Sequence, residues 1–215
     1  MKIGIIGSGI VGRVLGSAFL KEGHDVLLGT RDVTKAEVVK WKTENAKGQT
    51  GTFEAAAAFG EIIVLTTGGT VIESAVELAG KKNFAGKIVI DTTNPIAAAP
   101  PVNGVLQYFT NQNDSLLQQT QRLLPEAKLV KAFNSVGNNV MYKPDYKGIT
   151  PSMFICGNDD AAKKTVTGIL ETFGWEVEDM GKAEAAGAIE SLCVLWCIPG
   201  FIRNEWAHAF KLLKQ

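Results

Sequence analysis

The chain has 215 residues, 46% of them apolar and 20% charged, with 22 Lys and Arg set against 22 Asp and Glu. That length supports one good core, or one domain with a small appendage, and the composition is that of a soluble globular protein. The charge balance excludes a strongly basic nucleic-acid or membrane surface as the organising feature.

Lys2 to Ile6 is a short β-branched run and reads as the first strand. Gly7-Ser8-Gly9-Ile10-Val11-Gly12 follows it as G-x-G-x-x-G. Ile10 to Lys21 then carries apolar residues at helical spacing and stops near Gly23. A glycine turn between a first strand and a first helix is the setting in which this pattern binds a dinucleotide. Gly7 permits the tight turn, Gly9 lets the backbone approach a pyrophosphate, and Gly12 lets the helix pack close to the strand. Ser8, Ile10 and Val11 complete the loop, whose helix N-terminus offers free N–H groups to phosphate.

Asp25 to Gly29 is the second strand. An acid at its end would select NAD through the ribose 2′-hydroxyl, but the chain reads Gly29-Thr30-Arg31. A hydroxyl and a guanidinium are donors suited to a 2′-phosphate, and Lys35 lies one turn further on. Asp32 falls just past the acid position and reads as solvated. NADP is therefore the expected cofactor. Thr34 to Asn45 is predicted as a helix capped by Thr34.

A weak strand is predicted at Thr50 to Thr52, a helix at Phe53 to Phe59, a strand at Ile62 to Thr66 and a helix at Val71 to Ala79. Further along come a strand at Lys87 to Asp91, a helix at Ser115 to Leu124 and a strand at Lys128 to Phe133. The series closes with a strand at Met153 to Cys156, a helix at Asp160 to Phe173 and a strand at Trp175 to Asp179. Strands alternating with helices imply a doubly wound, mainly parallel Rossmann sheet, an α/β fold. Residues 1–181 are expected to form this NADP-binding domain. Residues 182–215 are expected to form a small C-terminal helical segment, broken at Pro199-Gly200.

Thr67-Gly68, Asn94-Pro95 and Ala132 with Asn134 all follow strands at carboxyl ends, where open α/β sheets bind ligands. They are expected to complete the cofactor site. Asn94 and Asn134 suit hydrogen bonds to a nicotinamide carboxamide or to substrate; the competing reading is ordinary turn chemistry. The long segment Thr92 to Asp114 holds Pro95, Pro100, Pro101 and Gly104, and loops of that length are usually functional. An acceptor pocket is expected between it and the helices after Lys182, with Ile96 and Tyr108 or Trp196 as apolar walls.

No catalytic residue can be named. His24 lies at the opposite end of the second strand, and His208 is placed on the last helix. Cys156, Cys193 and Cys197 are too few and too irregular for a disulfide framework, and read as buried thiols. No metal spacing appears. The start MKIGIIGSGIVG opens as a signal peptide would, but glycines interrupt it and no small-residue cleavage site follows. No uninterrupted apolar stretch reads as long enough to span a bilayer, so the expected setting is cytoplasmic, with neither membrane nor nucleic acid as partner. Large apolar residues near the C-terminus, Trp206 and Phe210 among them, predict a homodimer.

Together the glycine motif, Gly29-Thr30-Arg31, KIVIDTTNP at 87–95 and LVKAFNSV at 129–136 resemble the NADPH-dependent deazaflavin (coenzyme F-420) reductase family. The oxidoreductase domain of the six-transmembrane ferric reductases is a more distant likeness. The resemblance implies that Thr30, Arg31 and Lys35 hold the 2′-phosphate. It departs at Ile10, where that family often carries Asn, and at 97–109. The implied activity is hydride transfer between NADP(H) and a flat, small-molecule redox acceptor: a deazaflavin, a flavin or a ferric complex. Two alternatives remain open. One is an imine or carbonyl reductase like the pyrroline-carboxylate reductases, which carry a larger helical dimer domain. The other is an NADP-sensing binding protein without turnover.

Overall fold

In the computed structural model, which describes residues 1–215, eight strands form one sheet in the order β3-β2-β1-β4-β5-β6-β7-β8. They are β1 (Lys2–Ile6), β2 (Asp25–Gly29), β3 (Gln49–Gly51), β4 (Ile62–Leu65), β5 (Ile88–Asp91), β6 (Lys128–Lys131), β7 (Ser152–Gly157) and β8 (Glu176–Asp179). Every neighbouring pair is parallel except β6–β7. The last two strands extend the sheet, as the sequence predicts. The central strands are apolar on both faces because helices cover both.

One face carries α1 (Ile10–Lys21), α2 (Ala36–Glu44) and α6 (Asp160–Thr172), packed through Phe19, Trp41 and Phe173. The other carries α3 (Phe53–Phe59), α4 (Ile72–Ala79), α5 (Leu116–Leu123) and α7 (Ala186–Arg203), packed through Phe84, Leu117 and Ile189. Two N-termini are visible in the sequence for a physical reason. Thr52 accepts from the amide of Ala55 to start α3, and Ser115 with Gln118 forms a capping box on α5.

Several sequence expectations are corrected. Thr34 does not cap α2. Its amide and hydroxyl both donate to Asp32 Oδ1, and the helix starts at Ala36. β6 ends at Lys131 rather than Phe133, because Phe133 takes a left-handed backbone, φ 62°, that turns the chain out of the strand.

α7 runs through Pro199 to Arg203 without a break. Gly200 is a packing residue there: a Cβ would collide with the Trp206 indole. Asn204, at φ 56°, ends the helix. The tail beyond is not helical, so His208 is not on a helix. Its ring stacks on Trp196 at 5.0 Å, while Lys211 and Lys214 pair with Glu176 and Glu178.

The segment Ala183–Arg203, at a mean hydropathy of 1.7, is long and apolar enough to cross a bilayer. The stretch is not uninterrupted, since Glu190 lies within it. In the fold its Ala186, Ile189, Cys193, Trp196 and Cys197 are buried.

The 92–114 segment is not an irregular loop. Ile96 pairs with Tyr108 and Val102 with Val105, both antiparallel. Asn103 and Gly104 both have positive φ, which makes the tip a two-residue type I′ hairpin turn. The hairpin lies on α7: Gly104 sits against Ile202, the Tyr108 hydroxyl donates to Glu190 O at 2.6 Å, and Ser191 bonds Gln112.

Beneath this contact is a fully buried ion cluster. Lys131 Nζ lies 2.8 Å from Asp91 Oδ2 and 3.0 Å from Glu190 Oε1, and donates to Thr93 O at 2.8 Å. Burial alone would depress the lysine's pKa; the two carboxylates outweigh it and raise it. Glu190 also accepts the amides of Leu116 and Leu117, the opening turn of α5. Removing one member of such a cluster leaves uncompensated buried charge. Lys131→Met is expected to lower unfolding free energy by about 3–5 kcal/mol in denaturant titration. A loss under about 1 kcal/mol would show that the cluster carries no structural weight.

Candidate functional site

β1, β2 and β4 end side by side, and the glycine turn crosses their carboxyl edge. Gly7 has φ 122° and its carbonyl accepts from Thr66 Oγ1, which also donates to Ile6 O. Gly12 must be glycine because a Cβ there would strike Gly7 O. Gly9 is different. It is exposed, lies at φ −64°, and a Cβ added to it would meet nothing within 4 Å, so its smallness serves nothing inside the chain.

α1 has no side-chain cap and no acid in its first turn. Its first amides are left for an external acceptor. Ile10 is exposed, Val11 half-buried and Gly12 buried.

A cleft of about 270 Å³ opens beside this turn. It is lined by Gly7, Ser8, Gly9, Thr30, Arg31, Lys35, Thr67 and Gly68, with Phe53, Thr66, Val71, Ser74, Ala75 and Leu78. The structure thus gathers the predicted residues from three separate turns. The apolar wall is not among the residues the sequence singles out. Phe53 is the first residue of α3 and reads as core in the sequence; nothing local marks it as lining a cleft. The larger groove of about 600 Å³ between α1 and α2 shares just Ile10 with the predicted set.

Three details bear on the ligand. Thr30 is buried, and its hydroxyl accepts from Ser8 Oγ at 2.9 Å and donates to Asp32 O, tying the glycine turn to the β2 turn. Arg31 is exposed and Lys35 half-buried on the cleft. Asp32 Oδ1 accepts from the Thr34 hydroxyl and amide, two hydrogen bonds that hold its pKa below the ordinary value, and the side chain is not among those lining the cleft. Thr67 Oγ1 is buried without a partner in the cleft wall. An open cradle at Gly9, uncapped amides, an orphan hydroxyl and a basic rim fit a phosphorylated dinucleotide.

The edge continues to β5 and β6. Asn94 Nδ2 donates to Asn134 O at 2.7 Å, and Asn134 Nδ2 donates to Asn94 Oδ1 at 3.1 Å. Pro95 and Ala132 are buried beside this pair.

Of the residues expected to wall an acceptor pocket, Ile96 is exposed at the hairpin base. Tyr108 is half-buried, its hydroxyl bonded to α7 and its pKa pushed up by burial. Trp196 is 7% exposed, clustered with Cys193 and Cys197, and donates to His208 O. Trp206 packs on Trp196 and Phe201 of its own chain, and Phe210 joins the same cluster. These two residues are occupied within the chain rather than left for a partner. The three cysteines are buried and unpaired.

The model of the family described as NADP oxidoreductase, coenzyme F420-dependent, matches residues 2–95. A provisionally named F420-dependent NADP-reductase from Arthrobacter sp. FB24 is 32% identical and superposes at a TM-score of 0.93, with 100% of both chains covered. Rattus norvegicus metalloreductase STEAP3 is 27% identical over 191 residues, 89% of this chain and 36% of its own; the chain spans about a third of that curated relative. A reductive aminase from Aspergillus terreus, solved with NADPH and ethyl-5-oxohexanoate, shares the fold at a TM-score of 0.67 and 17% identity, over 94% of this chain and 62% of its own.

The two glycines separate binding from folding. Gly9→Val is expected to keep the circular dichroism spectrum and melting temperature while abolishing binding of NADPH. Gly12→Val is expected to destabilise the fold itself by about 1–3 kcal/mol, since it overpacks the turn. Normal NADPH binding by folded Gly9→Val would contradict this geometry.

Proposed function

This chain belongs to the family of coenzyme F420-dependent NADP oxidoreductases, and on that premise we propose that it transfers hydride between NADP(H) and a flat redox acceptor. The observation that carries the cofactor choice is at the end of β2. Arg31 and Lys35 rim the cleft, whereas Asp32 is not among its lining residues and accepts from Thr34 through Oδ1. Adenine would lie against Phe53, Val71 and Leu78, the 2′-phosphate at Arg31 and Lys35, and the pyrophosphate at Gly9 and the first amides of α1. The nicotinamide end would run past Thr67 and Gly68 to Asn94, Pro95, Ala132 and Asn134.

When bound, NADPH supplies the hydride. The residues around it supply position and a water-poor setting: no nucleophile, metal cluster or acid–base pair is required of them. Ile10 and Ile96, both exposed, would give the nicotinamide end apolar neighbours beside the polar Asn94 and Asn134. That suits a flat ring better than a small charged acid. A deazaflavin is the favoured acceptor, with a flavin or a ferric complex next.

The three unpaired thiols fit a reducing, cytoplasmic setting. A homodimer is supported by the exposed Leu195, Phe201 and Ile202 of α7 beside Val102 and Val105 of the hairpin, rather than by Trp206 and Phe210. Light scattering at micromolar concentration should give twice the chain mass, and Ile202→Glu should halve it. A monomeric wild type would end that part of the reading.

NADPH should bind at least about tenfold tighter than NADH, and Arg31→Ala should remove most of the difference because the charged hydrogen bonds to the 2′-phosphate are lost. Equal affinities in the wild type would overturn the assignment. Steady-state NADPH oxidation against a deazaflavin, a flavin, a ferric chelate, a cyclic imine and a ketone tests the acceptor. Turnover confined to the imine or ketone, or no turnover with any of them, would contradict the proposal.

A further inference from the structure

We infer that Asn94 is the contact residue at the nicotinamide end of the site, and that Asn134 is a positioning residue that holds the Asn94 carboxamide in one orientation. The inference rests on the reading that NADP(H) lies along this edge.

The two residues come from the ends of adjacent strands, β5 and β6; the Asn134 carboxamide donates to the Asn94 carboxamide, which donates back to the Asn134 backbone carbonyl. Asn134 Nδ2 has a second acceptor, the carbonyl of Ile189 on α7, at 2.9 Å. Two of the four groups involved are backbone carbonyls, Asn134 O and Ile189 O, which accept and never donate. Each must therefore face an NH2 group. That requirement fixes both amides: neither can flip without setting oxygen against oxygen.

The pair is unequal. Asn134 is 4% exposed, both its N–H groups are spent, and its Oδ1 is buried without a partner. Asn94 is half-buried and keeps one N–H and one acceptor lone pair unspent. A donor and an acceptor on one small group match a primary carboxamide, which carries both. Asn134 backs this group without reaching a ligand itself.

Its own placement is costly. Phe133, just before it, is a buried aromatic at φ 62°, held by its amide on Met153 Sδ and by its ring 6.0 Å from that of Phe173. Strained backbone of this kind persists where surrounding packing enforces it, and it clusters at functional sites.

Asn134→Asp gives a readout that a merely structural role would not move. A carboxylate at 134 would set acceptors against Asn94 Oδ1 and Ile189 O. The charged groups on the elements packed around it are Asp91 on β5, Lys131 on β6 and Glu190 on α7, which sum to one negative charge. On the hairpin, the Tyr108 hydroxyl is committed to Glu190 O; on β7, burial pushes the Cys156 thiol up to about 12, so it stays neutral. Burial and these neighbours both raise the pKa of the new acid. Protonation at low pH would return one donor, which satisfies one of the two acceptors and partly restores the orientation.

NADP+ affinity is therefore measured for wild type and Asn134→Asp from about pH 8 to about pH 5.5, the wild type cancelling titration of the 2′-phosphate. The expected ratio of dissociation constants is about tenfold or more at the upper end and falls to about twofold at the lower end. A ratio that is flat with pH, or near one throughout, overturns the positioning role while leaving the cofactor assignment intact. Failure of the wild type to bind NADP+ removes both. Should the variant not fold, hydrogen exchange of the Asn94 side-chain amide in the wild type decides: protection of the proton donated to Asn134 O is expected, and free exchange contradicts the pairing.

Discussion

Lys131 sits entirely inside the protein between Asp91 and Glu190, and the geometry of the ligand edge depends on that contact. The three groups come from β5, β6 and α7. Glu190 reaches further, to the opening amides of α5, whose positive end offsets the cluster's excess negative charge. One lysine thus ties the ends of two strands to α7 and, through Thr93 O, to the start of the hairpin segment. Asn94 is three residues beyond Asp91, Asn134 is three beyond Lys131, and Ile189 precedes Glu190. The amide pair inherits its position from the ions below it. Such clusters add little net stability over an apolar replacement; here the gain is a single arrangement of the chain around the site.

The edge is graded along its length. The β2 end is basic and open, with Arg31 exposed to solvent and Lys35 half-exposed. The glycine turn in the middle is neutral and offers backbone amides. The β5–β6 end is polar but uncharged at the edge, with Asn94 and Asn134 bonded together and Thr92, Thr93 and Ser135 buried beside them. A molecule with a phosphorylated ribose, a pyrophosphate and a carboxamide-bearing ring presents the complementary series. On the proposed reading no acid–base residue is needed, because hydride transfer depends on holding two rings in register.

How far the sequence can be read follows from the range of each interaction. The glycine turn, the Thr52 and Ser115 caps and the alternation of strands with helices are local, and the fold contains them. The hairpin tip is equally local: Asn103-Gly104 is a type I′ signal, obscured by the prolines around it. Other features are not local. Nothing near Lys131 marks it as a buried cation rather than an ordinary strand residue, because its partners lie far away in the chain. Gly200 next to Pro199 imitates a helix break, and the fold alone shows that the glycine makes room for Trp206. Thr34 is the right residue type for a cap, but Asp32 captures its hydroxyl. The candidate cofactor residues are legible as a set of turns at strand ends. The division of labour between Asn94 and Asn134 is not, because it depends on the Ile189 carbonyl.

The central claim is direct hydride transfer from NADPH to a flat acceptor held on this edge. The most direct test is single-turnover reaction with NADPH deuterated at C4, each epimer in turn, and a 5-deazaflavin whose reduced carbon does not exchange with water. Mass spectrometry of the reduced acceptor should find the label with one epimer and not the other, because a fixed site presents one face of the nicotinamide. Absence of label with both epimers, or equal label from each, would contradict the account.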